Sequence, residues 1–446
     1  MFKSLLNAFK VKDLRNRLIF VFLMLVVIRF GSNLPIPGVN SEYFAELFNS
    51  MANNDAFGWF NTMTGGSFEQ LSVFALSITP YITSSIIIQL LAVAIPALEE
   101  LQKDGEEGRK KLTEYTRYVT IGLALIESSA MAIGFGGQGL LIGYADASTV
   151  RKIADVVIAV ITMTTGSALL MWIGEQITDK GIGNGISLVL LFNILSSVPS
   201  DFQTLYVRFI QGKNVATMVV AAIIIAACLI ALVAFTVVLT DAERKIPVQY
   251  SRRVQGRGLV GGQSSSIPLK VNTASVMPVI FASSLMTMPV VVGQVLNVNY
   301  GTVAGQILRG LNSGSWCDPD APIYSIGLIL YILLLYFFAY FYTSISFNPL
   351  EVANNMKKQG GFIPGIRPGK PTSDYLDSIL TYIIFIGASG LAIVAIIPIF
   401  VSGVFNVGRI SFAGTSLIII IGVVLETLKA IESQMVVRNY KGFLND

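Results

Sequence analysis

The sequence predicts an all-α polytopic membrane protein, and three observations support this fold class. Hydrophobic residues make up 53% of the 446 residues and charged residues only 13%, well below the roughly 25% charged share of an average soluble domain. Ten separated apolar stretches run through the chain. The Lys and Arg residues lie mostly in alternate gaps between these stretches, as expected for a chain that crosses a bilayer repeatedly.

A helix needs about 20 mainly apolar residues to span a bilayer, and each stretch is a candidate for one such helix. The stretches are Leu18–Leu34, Leu71–Ala97, Tyr118–Phe135, Ile153–Ile173, Ile186–Val198, Ala216–Thr240, Ala274–Leu296, Ile323–Phe347, Ile379–Val401 and Phe412–Leu428.

The distribution of basic residues predicts the orientation. With the N-terminus placed in the cytoplasm, 24 of the 31 Lys and Arg residues fall in cytoplasmic segments and only 6 in external ones. By the positive-inside rule we expect both termini to be cytoplasmic. The lead-in Met1–Arg17 is basic and amphipathic, and the first stretch lacks a small-residue cleavage site, so we expect no cleaved signal peptide.

The composition argues against most enzymes. The chain has no histidine and only two cysteines, Cys228 and Cys317, which form no pattern. Neither a Walker phosphate-binding loop nor a dinucleotide-binding glycine motif is present in the sequence. We therefore expect no catalytic residues, no metal site and no cofactor, and any nucleotide energy would have to come from a partner.

The second stretch is irregular. Phe68–Ala75 is long enough for only about two helical turns, and Pro80 then suits the first turn of a new helix. We interpret this as a re-entrant half-helix followed by a full span; one long kinked helix is the alternative. The fifth stretch is short and follows Gly181–Gly185, whose glycines allow a tight turn and close helix approach. The seventh is interrupted by prolines.

Ionisable groups are sparse within the stretches. Glu127 lies in the middle of the third and Arg29 late in the first. A charge at the bilayer centre costs about 2.5–3.5 kcal/mol on insertion scales, so Glu127 should face protein or water. A structural hydrogen-bonding role and a functional role both remain open for Glu127.

Two cytoplasmic connections, Thr240–Asn272 and Asn348–Ser378, each exceed thirty residues, whereas structureless loops beyond about 12–15 residues are usually functional or disordered. Both are rich in basic residues. These residues either only keep the loops in the cytoplasm or form a docking surface for a large anionic partner. The Pro/Gly-rich run from Gly360 favours a defined shape in the second loop.

Long motifs follow one another along almost the whole chain. They are GSNLPIPGV from Gly31, GGSFEQLSVFALSITPYITSSIIIQLL from Gly65, MWIGEQITDKGIGNGIS from Met171, IPLKVNTASVMPVIFASS from Ile267, FNPLEVANNMKKQGGFIPGIRPGKPT from Phe347 and FAGTSLIII from Phe412. Through these motifs the chain closely resembles the SecY family, the channel subunits of the bacterial protein translocase. The resemblance implies a protein-conducting channel that passes unfolded secretory polypeptides across the cytoplasmic membrane.

The resemblance also implies the architecture: ten transmembrane helices in two pseudo-symmetric halves of five, 1–200 and 201–446, around an hourglass pore. A re-entrant plug half-helix closes the external funnel and comprises Gly65, Gly66, Ser67, Phe68, Glu69, Gln70, Leu71, Ser72, Val73 and Phe74. A ring of aliphatic side chains forms the waist: Ile78, Ile82, Leu190, Ile280 and Ile419. Leu190 stands where many members of the family have isoleucine.

A lateral gate, also implied by the resemblance, would open between helices 2 and 3 on one side and helices 7 and 8 on the other, and release hydrophobic segments into the lipid bilayer. Its polar residues would be Thr83, Glu127 and Asn272. Some relatives carry Gln at the position of Glu127.

The partners that the resemblance implies are SecE-like and SecG-like small membrane subunits, a SecA motor ATPase, the ribosome through its RNA, and signal sequences with their nascent polypeptides. The basic residues expected to dock the cytoplasmic partners are Arg252, Arg253, Arg257, Lys357, Lys358, Arg367 and Lys370.

Two other classes of protein remain open. A secondary transporter would also have two halves and broken helices, but it should present a cluster of ion-binding residues at the midplane, and Glu127 stands nearly alone. A scaffold without a pore would explain the large loops and leave the glycine-rich second stretch unexplained. A membrane enzyme is the least favoured class.

Overall fold

The computed structural model describes most of the chain. The described residues are 9–51, 61–135, 142, 148–209, 211, 214–250, 253–255, 258–260, 264–295, 298, 301–317, 321–405 and 414–442. Helices dominate this part of the chain. They are α1 (Lys12–Ser32), α2 (Ser41–Met51), α3 (Thr79–Ala94), α4 (Pro96–Lys103), α5 (Gly105–Phe135), α6 (Thr149–Lys180), α7 (Gly185–Phe209), α8 (Val215–Asp241), α9 (Met277–Val295), α10 (Val303–Leu311), α11 (Ile326–Ser346), α12 (Pro349–Lys358), α13 (Lys370–Phe405) and α14 (Thr415–Gly442).

Every predicted apolar stretch overlaps one of these helices. By length and composition, five helices among the described residues could each cross a membrane, namely α6, α7, α8, α11 and α13. The pair α3 and α4, bent by 103°, makes a sixth if it is counted as one span. The number of ten spans therefore stays a prediction, whereas a helical membrane protein is well supported.

The two long connections contain a small β-sheet that the sequence analysis did not predict, within an otherwise helical fold. Strand β1 (Glu243–Tyr250) pairs antiparallel with β4 (Ser264–Lys270) and, on its other edge, with β5 (Gly361–Phe362). Short strands β2 (Arg253–Gln255) and β3 (Gly258–Val260) pair at the tip of the hairpin. Because β5 belongs to the second connection, the sheet joins the two loops into one body.

The second apolar stretch is confirmed in its later half and differs in its earlier half. Pro80 lies in the first turn of α3, as predicted. Gly65–Ile78, which we call the turn segment, forms consecutive turns, so both the half-helix and the long kinked helix are wrong. Left-handed backbone at Leu71 (φ 43°) and Ser77 (φ 51°) interrupts any helix.

The turn segment is held in this shape by a β-like contact with the chain after α1. Ile36 N donates to Leu71 O (3.1 Å) and Val73 N donates to Leu34 O (2.9 Å). These long-range bonds use backbone groups that a helix would pair within itself. Local sequence signals suggested a helix, and this long-range contact explains why none forms.

Glycines allow the close helix approaches that the sequence predicted around Gly181–Gly185. Gly183 has φ 78°, a left-handed conformation that suits glycine, in the turn between α6 and α7. A Cβ on Gly185 would overlap the Gly174 carbonyl of α6. The sharp return of α7 against α6 therefore depends on these glycines.

Gly166 of α6 provides a test of how tightly the turn segment is enclosed. A Cβ at this position would overlap the Val73 carbonyl oxygen, a backbone atom that cannot rotate away. Overpacking of this kind costs about 1–3 kcal/mol. We expect Gly166→Ala to lower the aggregation temperature of the detergent-solubilised protein by several degrees.

Gly122→Ala is the matched control, because a Cβ on this helical glycine of α5 would meet nothing within 4 Å. We expect the control to leave the aggregation temperature unchanged or slightly higher, since Ala favours helix over Gly. Equal effects of the two substitutions would contradict the described packing.

Candidate functional site

The five aliphatic residues predicted to form the waist lie on separate elements of the fold. Ile78 immediately precedes α3 and Ile82 lies in its first turns, while Leu190, Ile280 and Ile419 belong to α7, α9 and α14. All five are part of one hydrophobic cluster; Ile82 is half-buried and the other four are at most 6% exposed. We call these five residues the aliphatic cluster.

The helices that carry the aliphatic cluster contact one another in two pairs. α7 packs against α14, and α3 packs against α9. Gly174 of α6 lies beside Ile78, where a Cβ would be 3.5 Å from Ile78 Cδ1. Hydrocarbon side chains offer an ion no replacement for its hydration shell, so entry of an ion at this level is unfavourable.

The turn segment ends at Ile78 of the aliphatic cluster, and its residues Val73 and Phe74 belong to the same hydrophobic core. Its buried side chains expose no more than 3% of their surface and include Ser67, Phe68, Leu71, Ser72 and Phe74. Phe74 lies against Gly31 of α1, where a Cβ would overlap the aromatic ring. The residues predicted as the plug are therefore a buried loop enclosed by helices.

The polar side of the turn segment is also engaged. Gln70 is exposed and Glu69 is half-buried. Asn61 Nδ2 donates to Glu69 Oε2 (3.1 Å), and Asn61 Oδ1 accepts from Glu69 N (3.1 Å). This pair of bonds fixes the Glu69 side chain at the edge of the segment.

The helices of the three predicted lateral-gate residues meet in the structure. Thr83 lies on α3, Glu127 on α5, and Asn272 in the turns before α9; α9 contacts both α3 and α5. Thr83 Oγ1 donates to Thr79 O (3.1 Å). Among the described residues, Glu127 Oε2 and Asn272 Nδ2 are buried without a hydrogen-bond partner, and no hydrogen bond joins the three side chains.

The basic residues of the second connection project from a rigid turn. Arg367 and Lys370 are exposed, and Gly365 (φ 83°) and Gly369 (φ 104°) lie beside and between them in left-handed conformations. Thr372 Oγ1 donates to Arg367 O (2.8 Å), which fixes the backbone at the tip.

The remaining predicted docking residues are placed only in part. Lys357 and Lys358 are exposed in the last turn of α12, where the helix dipole favours positive charge. Arg253 belongs to strand β2, and only its backbone is described. Arg252 and Arg257 lie outside the described residues.

Two ion pairs join helices near the predicted cytoplasmic border. Arg117 Nε lies 2.8 Å from Glu175 Oε1, which links α5 to α6, and Lys429 Nζ lies 2.6 Å from Asp241 Oδ1, which links α14 to α8. The hydrogen bond from Arg117 to Glu175 raises the pKa of the Arg117 guanidinium above its ordinary value. Each pair is partly exposed, so its contribution to stability is modest.

One buried polar residue was missed by the sequence analysis. Asn193 is 4% exposed and belongs to the apolar helix α7. Its side-chain amide donates to Met63 O (3.1 Å) and to Ser77 Oγ (2.9 Å). An amide within an apolar span is itself a signal of a specific partner, and that signal was available in the sequence.

Comparison with known proteins assigns the family. The SecY family model matches residues 72–428. The protein translocase subunit SecY of Halalkalibacterium halodurans is 42% identical over 451 residues, and that of Streptomyces coelicolor is 43% identical over 449 residues; in both cases the match covers all of this chain and all of the relative.

Solved structures agree on the fold. A structure titled as that of a protein conducting channel matches with a TM-score of 0.61 and 20% identity, covering 94% of this chain and 92% of that one. Sec61 in the canine ribosome-channel complex from the endoplasmic reticulum matches with a TM-score of 0.58 and 18% identity, with the same coverage. The motifs, the full-length relatives and the shared fold together show that the chain belongs to the SecY family.

Proposed function

We propose that the chain forms a protein-conducting channel that passes unfolded polypeptides across the bacterial cytoplasmic membrane. The observation that supports this proposal best is the aliphatic cluster, whose residues come from four separate helical regions and share one hydrophobic core with Phe74 of the buried turn segment. A dry constriction of this kind obstructs ions by dewetting. An extended polypeptide can press the side chains apart because they are held only by non-directional contacts.

In this proposal the turn segment is the plug and the aliphatic cluster is the ring at the waist. The halves 1–200 and 201–446 enclose the pore, ten helices span the membrane, and both termini face the cytoplasm. The relatives that match along the full length are translocase subunits from bacteria, which supports the assignment to the bacterial cytoplasmic membrane.

Sideways release of hydrophobic segments follows from the same physics. The seam between α9 and the pair α3 and α5 would be the lateral gate. About ten leucines or isoleucines at −0.3 to −0.6 kcal/mol each favour exit into lipid by roughly 3–6 kcal/mol. One or two charges cancel that gain, so a seam that opens transiently can sort membrane segments from secreted chain.

The chain itself would perform no hydrolysis. We propose that a SecA-like motor ATPase or a ribosome drives the polypeptide, and that SecE-like and SecG-like subunits bind the channel in the membrane. The sheet that joins the two basic connections supports a docking surface of defined shape. One of the structural relatives is the yeast Ssh1 complex bound to the 80S ribosome, with a TM-score of 0.59.

Ile419→Asn tests the aliphatic cluster. Ile419 is 1% exposed, and burying an amide without a partner in hydrocarbon costs about 1–3 kcal/mol. We expect the closed channel to loosen, so that vesicles containing it leak ions and accept substrates with defective signal sequences. Ion flux and translocation of a signal-sequence mutant measure the two effects.

Val424→Asn is the matched control on the same helix, since Val424 is 39% exposed. It introduces the same amide away from the cluster and should leave both measurements near those of the parent. Unchanged ion flux and unchanged discrimination in Ile419→Asn would contradict the role of the cluster.

Arg367→Glu tests the docking surface. Arg367 is exposed at the tip of a rigid turn, so reversing its charge should disrupt binding of an anionic partner and leave packing intact. We expect translocation by reconstituted vesicles with motor and ATP to fall by at least about tenfold, the effect of roughly 1.4 kcal/mol at the docking step.

Lys358→Glu makes the same charge change at the end of α12 and should reduce translocation less, because Lys358 does not lie on the glycine turn. The amount of assembled channel should be equal in both variants. Normal secretion by Arg367→Glu would remove this residue from the docking surface.

A further inference from the structure

Both ends of the turn segment are held by hydrogen bonds from one residue of α7, Asn193. Asn193 Nδ2 donates to Met63 O (3.1 Å), two residues before the segment, and to Ser77 Oγ (2.9 Å), near its end. Ser167 Oγ of α6 donates to Ser77 O (3.0 Å). Ser77 Oγ also donates a long hydrogen bond to Met63 O (3.5 Å), so the Asn193 amide bridges two residues, fourteen positions apart, that contact each other, as in the compact loops whose ends meet. We call the hydrogen bonds that join Met63, Ser77, Ser167 and Asn193 the neck.

A second set of bonds holds the first residue of the segment. Gly65 O accepts from Ser196 Oγ (3.2 Å) and from Arg29 Nη1 (3.0 Å). Ser196 lies three residues after Asn193, so both side chains project from the same face of α7. A Cβ on Gly65 would lie 3.0 Å from Asn193 Cα, so the absence of a side chain lets the loop approach the helix.

The bonds of the neck are buried, which makes their loss costly. Asn193 is 4% exposed, and Ser77 and Ser167 are each 1% exposed. A buried donor or acceptor that loses its partner cannot turn to water. The neck should therefore be either fully made or fully released together with the surrounding packing.

Asn193 also lies three residues after Leu190 of the aliphatic cluster, on the same side of α7. A helix moves as a rigid body over one turn, so outward displacement of Leu190 carries Asn193 with it. The bonds of 2.9 and 3.1 Å are lost when their donor and acceptor atoms move apart by about 1 Å.

We infer that Asn193 is a positioning residue that couples the aliphatic cluster to the turn segment. While Leu190 is packed in the cluster, Asn193 keeps the neck closed and the segment buried. When a polypeptide displaces Leu190, the neck opens and the segment is released. This inference rests on the proposed channel function, because it assigns the trigger for opening to the chain that enters the cluster.

Ser67 provides a site for a probe of release. Ser67 is fully buried, and its hydroxyl has no hydrogen-bond partner among the described residues, so Ser67→Cys is a small change. The two native cysteines are replaced by Cys228→Ala and Cys317→Ser. The measurement is the rate at which a membrane-impermeant maleimide alkylates the thiol introduced by Ser67→Cys in the assembled protein, without any translocating chain.

We expect Asn193→Ala to increase the alkylation rate by about tenfold, because two buried hydrogen bonds of the neck are lost. Ser197→Ala is the matched control on α7, since among the described residues the half-buried Ser197 hydroxyl makes no hydrogen bond to the turn segment, and it should react at the rate of the parent. A rate within twofold of the parent in Asn193→Ala would overturn the inference.

Ser77→Ala removes the hydroxyl that accepts one of the two hydrogen bonds from Asn193. Combined with Asn193→Ala it should add little to the alkylation rate, because both changes open one neck. Should Asn193→Ala fail to assemble, Ser77→Ala alone decides, with the same tenfold increase expected. Independent, multiplying effects of the two substitutions would contradict a shared neck.

The coupling to the cluster is tested by Leu190→Ala. We expect this substitution to increase alkylation of the introduced thiol when Asn193 is present and to add no further increase in Asn193→Ala. A role of Asn193 limited to structural support predicts additive effects and would overturn the coupling. Alkylation requires no translocation, so these results stand or fall separately from the channel function.

Discussion

The fold depends on burying an irregular stretch of backbone inside a helical membrane protein. Peptide groups at membrane depth need partners within the protein, and outside helices they are tolerated only where protein or water supplies them. The turn segment meets this requirement through its own turns, through the bonds of Leu71 and Val73 to the chain after α1, and through side chains of α1, α6 and α7. The glycines at 31, 166 and 174 let the helices close around it.

That constraint has a functional counterpart. A segment held by directional bonds at its neck and by apolar packing elsewhere can occupy two states, because hydrogen bonds are lost over short distances whereas apolar contacts adapt. In the proposed channel the aliphatic cluster would add a seal made of hydrocarbon side chains. Sealing and opening then use the same parts: the side chains that exclude water are those that a passing polypeptide would displace.

The sequence predicted much of this arrangement, and its failures have identifiable causes. Helical spans, the new start at Pro80 and the turn at Gly181–Gly185 follow from local composition and were confirmed. The turns of Gly65–Ile78 and the three-stranded sheet depend on partners far away in sequence, such as Leu34 for Val73 and Phe362 for Gln249. The aliphatic residues of the site were predicted through the resemblance to the family. The hydrogen bonds of Asn193 became visible only in the fold.

The most direct test of the account is cysteine crosslinking of a stalled export intermediate to Ile82→Cys and Ile419→Cys, with Val424→Cys as the exposed control on α14. Native Cys228 and Cys317 are replaced first. A polypeptide that passes through the aliphatic cluster should crosslink at both positions and much less at the control. An intermediate that is halted in the membrane and crosslinks at neither position would contradict the account.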